Sequence, residues 1–277
     1  MEQGIISFIG GGNMCSSLVG GLIADGYAPE RIRVSDPGEE TLASLRARFG
    51  VHTTHDNREA AAGAGVVVLA VKPQVLPKVA AELAPVVQEH GTLVVSIAAG
   101  IRTTDLQRWL GAGVALVRTM PNTPALVKSG ATALFATAAV TAAQRDQAES
   151  VLRAVGLTLW LENEEQMDAV TALSGSGPAY FFLVMEAMQG AAQAIGLPER
   201  TARLLTLQTA FGAAKMALES DEEPSLLRQR VTSPGGTTER ALNVLEEGKL
   251  RELFRDALTS ARDRSRELAA ILGRDPD

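Results

Sequence analysis

The stretch Ile5-Ile6-Ser7-Phe8-Ile9-Gly10-Gly11-Gly12-Asn13-Met14-Cys15 decides the fold of this 277-residue chain. Its first five residues form an apolar run typical of a buried strand, and a helical pattern follows from Ser16 to Asp25. A strand, a glycine turn and a helix in this order indicate a dinucleotide-binding fingerprint. Gly10 permits the tight turn, and Gly12 lets the backbone approach a pyrophosphate. Cys15 stands where this fingerprint usually has Gly or Ala, and we interpret it as a packing residue rather than a reactive thiol.

Further apolar runs of the same kind follow along the chain, at residues 32–36, 66–71, 93–97 and 114–117. Helical patterns separate them up to about Leu161, and this alternation predicts a parallel α/β sheet. Ligands of such sheets bind beyond the carboxyl ends of the strands, where polar and glycine-rich residues follow several of these runs. The predicted cofactor site at this edge contains Gly10, Gly12, Asn13, Ser35, Asp36, Lys72, Ala98, Met120, Pro121 and Asn122.

The acidic residue at the end of the second run bears on the choice between NAD and NADP. Asp36 can accept a hydrogen bond from the ribose 2′-hydroxyl of NAD, and it would repel the 2′-phosphate of NADP. Residues 37–40 include no lysine or arginine to neutralise it, although Ser35 offers a hydroxyl to that phosphate. The residues alone therefore leave the choice open. Asn57, at the start of a short predicted helix, is either an N-cap or a contact of the adenosine half of the cofactor.

Composition and charge argue against several classes of function. The net charge of −6 and the lack of a basic block argue against a nucleic-acid partner. The single cysteine rules out an internal disulfide, and His52, His55 and His90 are too scattered to predict a metal site. The sequence shows no signal peptide, and its most apolar stretch, residues 169–197, is interrupted by Ser-Gly-Ser-Gly-Pro, so no membrane association is expected. We therefore expect a cytoplasmic protein.

Helical patterns replace strands from Glu162 to the end of the chain. We therefore predict two domains, a dinucleotide-binding domain over residues 1–161 and an all-helical domain over residues 162–277. Residues 169–197 are apolar on nearly all sides, and a helix of that kind must be buried. Since a short helical domain can hardly bury it alone, we expect a homo-oligomer interface there. Lys215, a lone lysine on an apolar helix, is interpreted as a surface residue rather than a catalytic one.

The loop Val231-Thr232-Ser233-Pro234-Gly235-Gly236-Thr237-Thr238 precedes a helical run that begins at Glu239. Pro234 has no backbone donor, and the two glycines can adopt backbone angles that other residues avoid. The first backbone N–H groups of a helix have no intrahelical partner and attract anions. The loop therefore predicts a site for a small carboxylate, with an ordinary turn capped by a threonine as the alternative.

Three motifs together resemble those of the pyrroline-5-carboxylate reductase family. They are Arg118-Thr119-Met120-Pro121-Asn122-Thr123-Pro124, Leu173-Ser174-Gly175-Ser176-Gly177-Pro178-Ala179-Tyr180, and the loop at residues 231–238. The resemblance covers the whole chain. It implies an N-terminal Rossmann domain and a C-terminal helical dimerisation domain, with dimers that often assemble further, commonly into decamers. The implied activity is the last step of proline biosynthesis, reduction of L-1-pyrroline-5-carboxylate to L-proline by NADPH or NADH.

The resemblance also implies roles for residues at matching positions. The implied cofactor contacts are Gly10, Gly12, Asn13, Met14, Ser35, Asp36, Asn57, Val71, Lys72 and Ala98. The implied product contacts are Glu164, Thr237 and Thr238, to which our reading of the loop adds Ser233, Gly235 and Gly236. Arg230 stands where some relatives have asparagine near the cofactor. Because relatives are often biased to NADPH, we expect both cofactors to work, NADPH somewhat better.

The sequence offers no histidine or buried carboxylate as an obvious acid for the imine nitrogen. Our hypothesis is that the imine enters protonated, or takes its proton from water, and that Thr238 orients it as the catalytic residue. Two alternatives remain at this point. A β-hydroxyacid dehydrogenase of the same plan would need a catalytic Lys paired with Asn, whereas the residue four positions after Lys215 is Glu219. A non-catalytic dinucleotide-binding protein would bind the cofactor without turnover.

Overall fold

A computed structural model describes residues 4–274 of the chain. Its strands are β1 Ile6–Ile9, β2 Ile32–Ser35, β3 His52–Thr54, β4 Val66–Leu69, β5 Leu93–Ser96, β6 Leu116–Met120, β7 Gly130–Ala136 and β8 Gly156–Trp160. The helices among these strands are α1 Asn13–Ala24, α2 Glu39–Phe49, α3 Asn57–Ala61, α4 Leu76–His90, α5 Thr103–Leu110 and α6 Ala142–Arg153. The helices that follow are α7 Gln166–Val170, α8 Gly177–Ala194, α9 Glu199–Glu219, α10 Pro224–Arg230, α11 Thr237–Glu247 and α12 Leu250–Leu272.

The strands form one eight-stranded sheet in the order β3-β2-β1-β4-β5-β6-β7-β8. Neighbouring strands run parallel except β6 and β7, which are antiparallel. The predicted α/β sheet is confirmed, but β7 and β8, which are parallel to each other, run opposite to the other six strands, and the prediction missed this reversal. The connection from β6 to β7 spans residues 121–129 and contains a 3₁₀ turn at Thr123–Val127. It is shorter than the roughly dozen residues that a parallel crossover requires, so the chain turns back.

Both faces of the sheet are covered by helices, which is why the valine-rich strands are buried on both sides. One apolar layer packs Leu18 of α1, Leu45 of α2 and Val151 of α6 against the strands. The other face packs helices α3, α4 and α5 against the sheet, with Leu83 of α4 at its centre. Cys15 belongs to the first layer, and its burial raises the pKa of its thiol above the usual range. This supports the packing role expected for Cys15.

The chain separates into two compact units. The first unit runs to Ser176 and includes the chain again from Ala261 onward, while the second unit is Gly177–Ser260. The domain boundary between residues 161 and 162 that we expected from composition differs from this division, because α7 and the end of α12 pack within the first unit. Ser265 of α12 donates a buried hydrogen bond of 2.7 Å to Asp168 of α7, which fixes the end of the chain there.

The second unit consists of α8 to α11 and the first part of α12, and much of its apolar surface is exposed in the single chain. In α8, Phe181 and Leu183 are 67% and 65% exposed. A helix with such residues on its surface needs a partner surface to bury them. Across residues 4–274, no helix combines the length and apolar character that a membrane crossing requires.

Candidate functional site

The carboxyl ends of five parallel strands lie along one edge of the sheet. Because β1, β2, β4, β5 and β6 run in the same direction, the segments that follow them share this edge. The structure thereby brings together most of the predicted cofactor residues. They are Gly10, Gly12, Asn13, Met14, Ser35, Asp36, Val71, Lys72, Ala98, Met120, Pro121 and Asn122.

The glycine turn after β1 has the geometry that a dinucleotide pyrophosphate requires. Gly10 has φ +105°, and a Cβ built on it would lie 2.6 Å from the carbonyl oxygen of Ala70, so no larger residue fits. A Cβ built on Gly12 meets no atom of the described residues within 4 Å, which leaves open space in front of the turn. Gly12 is also the N-cap of α1, and no side chain caps that helix start. Free amides and open space at a helix start suit a phosphate group.

The carboxylate of Asp36 is held by two backbone amides. Gly11 N donates to its Oδ2 at 2.8 Å, and Gly38 N donates to its Oδ1 at 2.8 Å. One side chain therefore joins the glycine turn to the loop between β2 and α2. The sequence could not indicate the orientation of the Asp36 side chain, because its two donors come from different segments.

The predicted adenosine residues Ser35 and Asn57 are hydrogen-bonded to each other. Ser35 Oγ donates to Asn57 Oδ1 at 2.8 Å, and Asn57 Nδ2 donates to Glu82 of α4 at 3.2 Å. The N-cap of α3 is Asp56, whose Oδ1 accepts from the amides of Arg58 and Glu59 at 2.8 and 3.2 Å. The interpretation of Asn57 as an N-cap is therefore wrong, since Asn57 is the first helical residue. Its amide instead links the end of β2 to the middle of α4.

Glu164 lies where three segments of the first unit meet. Its carboxylate accepts hydrogen bonds from Thr103 N at 2.7 Å and from Thr103 Oγ1 at 2.6 Å, at the start of α5. It also accepts from Arg118 Nη1 of β6 at 2.9 Å, and the Arg118 side chain is only 4% exposed. Glu164 and Arg118 line a cavity of about 840 Å³ together with Arg102, Asp168 and Arg266. Glu164 thus has three internal donors before any ligand is considered.

The predicted residues at the end of β6 are also bound internally. Asn122 Nδ2 donates to the carbonyl of Ser174 at 3.0 Å, and Asn122 Oδ1 accepts from Ala131 N at 2.9 Å. A Cβ built on Gly175 would lie 2.5 Å from Cε of Met120, so this glycine gives the methionine room. Asn122 therefore fixes the turn after β6 against β7 and against the π-helical turn at Thr171–Gly175.

The second unit carries the predicted carboxylate-binding loop at the start of α11. Gly235 has φ +70°, and its N–H donates to Glu239 Oε2 at 2.7 Å. Gly236 N donates to the carbonyl of Ser233 at 3.0 Å, which closes the turn. The N-cap of α11 is Gly236 without a side-chain bond, so the alternative of a threonine cap is wrong. Thr237 and Thr238, the first two helical residues, are exposed.

Arg230 and Lys215, two cationic residues whose roles the sequence did not settle, each form an ion pair within the second unit. Arg230 forms an ion pair with Glu222, and Lys215 lies 3.6 Å from Glu219 one helical turn later. Both lysine and glutamate of the latter pair are more than half exposed, as expected for a surface pair.

A Rossmann-type sheet with an open glycine turn, followed by an all-helical unit, defines a dinucleotide-dependent oxidoreductase. The family model described as pyrroline-5-carboxylate reductase dimerisation matches residues 164–268, and the one described as NADP oxidoreductase, coenzyme F420-dependent, matches residues 5–100. The chain belongs to the pyrroline-5-carboxylate reductase family, since it is 53% identical to the pyrroline-5-carboxylate reductase of Pseudomonas aeruginosa over 97% of this chain and 98% of that protein.

Solved structures agree with this assignment. The pyrroline-5-carboxylate reductase of Coxiella burnetii is 52% identical, with a TM-score of 0.94 over 96% of this chain and 99% of that one. The pyrroline carboxylate reductase of Plasmodium falciparum, solved with NADP bound, is 27% identical, with a TM-score of 0.85 over 97% of this chain and 99% of that one.

Proposed function

We propose that this chain reduces L-1-pyrroline-5-carboxylate to L-proline with NADPH or NADH, the last step of proline biosynthesis. The observation that carries the proposal is the whole-length match to reductases of this name, combined with a glycine turn open to a pyrophosphate. The bound nicotinamide would supply a hydride to the carbon of the C=N bond. The same match disfavours the hydroxyacid dehydrogenase and the non-catalytic alternatives.

The cofactor residues are part of this proposal. The turn at residues 10–14 would bind the pyrophosphate at the N-terminus of α1, where the Gly10 and Gly11 amides are already hydrogen-bonded within the protein and those that follow face open space. Ser35, Asp36 and Asn57, at the ends of β2 and β3, would face the adenosine half. The remaining strand-end residues would line the path of the nicotinamide half. They are Val71, Lys72, Ala98, Met120, Pro121 and Asn122.

The loop at the start of α11 would bind the substrate carboxylate. The backbone N–H groups of Thr237 and Thr238 at the start of α11 and the positive end of the helix dipole favour an anion there. Thr238 Oγ1 would then hydrogen-bond the imine nitrogen and orient the C=N bond. Because a threonine hydroxyl is a poor general acid, the imine would carry its proton on entry or take it from water. Ser233, Gly235, Gly236 and Thr237 shape this loop, and Glu164 is proposed as a further contact of the substrate.

The proposal includes assembly and location. The match of residues 164–268 to the dimerisation model and the exposed apolar side chains of α8 support a homodimer. Dimers of this kind would assemble further into a larger homo-oligomer, of which a decamer is one form. A cytoplasmic location follows from the proposed use of NAD(P)H, which cells hold in their interior. Neither a nucleic acid nor a membrane is needed as a partner.

The test is a turnover assay on the purified protein. Loss of the nicotinamide absorbance band should follow addition of pyrroline-5-carboxylate in the presence of NADPH or NADH. The control reaction supplies 3-hydroxyacids with the oxidised cofactors, and no cofactor reduction should occur. No turnover of the imine with either cofactor would contradict the proposal, and turnover of a 3-hydroxyacid would favour the dehydrogenase alternative.

A further inference from the structure

His55 lies directly after β3, beside the end of β2. Its Nδ1 is 3.0 Å from the backbone carbonyl oxygen of Asp36, and its Nε2 is 3.0 Å from Oε2 of Glu39. Both neighbours can only accept hydrogen bonds. A neutral imidazole carries one N–H, whereas an imidazolium carries two. The two contacts are therefore satisfied together only when the ring is positively charged.

His55 lies at the point where NAD and NADP differ. In a Rossmann-type sheet, the residue that ends the second strand faces the ribose 2′ position of the cofactor. Here that residue is Asp36, whose carboxylate oxygens each accept a backbone N–H. The sequence lacks a lysine or arginine in the following loop, and the fold supplies His55 from the neighbouring strand instead.

The charges around His55 leave its cation available to a further anion. The Glu39 carboxylate is 65% exposed and also bonded to Arg46 at 2.9 Å, so it retains a cationic partner when it leaves the ring. Asp36 is engaged by the amides. The other charged groups that line the cavity next to His55 come from α3, from α4 and from the turn before α3. They are Asp56, Arg58, Lys78 and Glu82, two acids and two bases.

We propose that His55 is a specificity-determining residue, which favours NADPH over NADH because its imidazolium faces the ribose 2′-phosphate. The phosphate would replace Glu39 as the acceptor of Nε2–H. The inference rests on the proposed use of NAD(P)H, and it concerns cofactor selection rather than the reduction itself. It also accounts for how a chain with Asp36 at this position can accept NADPH.

The experiment measures the Kd of each cofactor for the apoprotein at pH 7, from the fluorescence of NADPH and NADH. His55→Gln removes the charge and retains a hydrogen-bonding side chain. It should raise the Kd of NADPH about fivefold, the size expected for one partly exposed ion pair, and leave the Kd of NADH within about twofold. His55→Lys restores a cation and should return the Kd of NADPH toward the unmodified value. His52→Gln is the matched control on the exposed face of the same strand, and it should change neither Kd.

The inference would be overturned if His55→Gln changed neither Kd, or raised both equally. If the unmodified protein bound neither nucleotide, the proposed function itself would fail, so the two failures are distinguishable.

Discussion

Replacing Glu164 by alanine should lower the free energy of unfolding of the first unit by about 3–5 kcal/mol. The substitution leaves the guanidinium of Arg118, which is 4% exposed, without its carboxylate. Breaking a buried pair in this way costs roughly 3–5 kcal/mol, and the neighbouring cavity reduces that cost because water can reach the pair. Loss of the two bonds to Thr103 leaves the first backbone N–H of α5 without its acceptor, which adds about 1 kcal/mol.

The assay is thermal unfolding of the apoprotein, followed by circular dichroism. A change of this size should lower the Tm by roughly 8–15 °C in a chain of this length. Glu164→Gln should have a smaller effect, because its amide oxygen can still accept from Thr103. The matched control is Glu165→Ala in the same segment, whose exposed side chain should contribute less than about 0.5 kcal/mol.

A double mutant separates the buried pair from the rest of the site. Arg118→Met together with Glu164→Ala removes both charges and should be more stable than the sum of the single changes predicts. An unchanged Tm for Glu164→Ala, with a large rise in the KM for the imine, would refute the reasoning. Glu164 would then act only through the proposed contact with the substrate and would not hold α5 and β6 in place.

Three further predictions concern the second unit. Thr238→Ala should lower kcat/KM roughly ten- to a hundredfold, equivalent to one lost hydrogen bond of about 1.5–3 kcal/mol. The Kd of the cofactor should not change. An unaltered rate would show that the Thr238 hydroxyl has no role in catalysis. Glu239→Gln keeps an acceptor for Gly235 N–H and removes a like charge beside the substrate carboxylate, so the KM should fall about two- to fivefold. A higher KM would contradict this. Light scattering should find that the unmodified protein is a dimer or a larger assembly. Phe182→Glu in α8 should dissociate this assembly. A stable monomer of the unmodified protein would disprove the interface proposed at α8.

The local pattern around the glycine turn was sufficient to predict β1, the turn and α1. A five-residue apolar run, glycines and a helical period are all encoded within one short segment, and the sheet then follows from the repetition of such units. The direction of β7 was missed, because it depends on the short connection 121–129 and on pairing with β6 rather than on the composition of the strand.

The site was predicted less completely because its contacts join distant segments. Glu164 was expected as a substrate contact, but its partners Thr103 and Arg118 lie 61 and 46 residues away in sequence. The contacts of His55 also join distant segments, and the sequence analysis considered this residue only as a candidate metal ligand. Its place beside Asp36 follows from the pairing of β3 with β2, which no local pattern reports. The sequence did contain one indication of this site. Arg118 is a lone arginine at the end of an apolar run, and a buried arginine requires an acidic partner.

The most direct test of the account is the transfer of hydrogen from cofactor to product. Pyrroline-5-carboxylate is incubated with the protein and NADPH that carries deuterium at both C4 positions of the nicotinamide, and the product is analysed by mass spectrometry. The account predicts L-proline with one deuterium at C5, the carbon of the former C=N bond, and none at C5 when unlabelled NADPH is used in deuterated water. Proline without the label from deuterated NADPH, or no proline, would contradict hydride transfer by this chain.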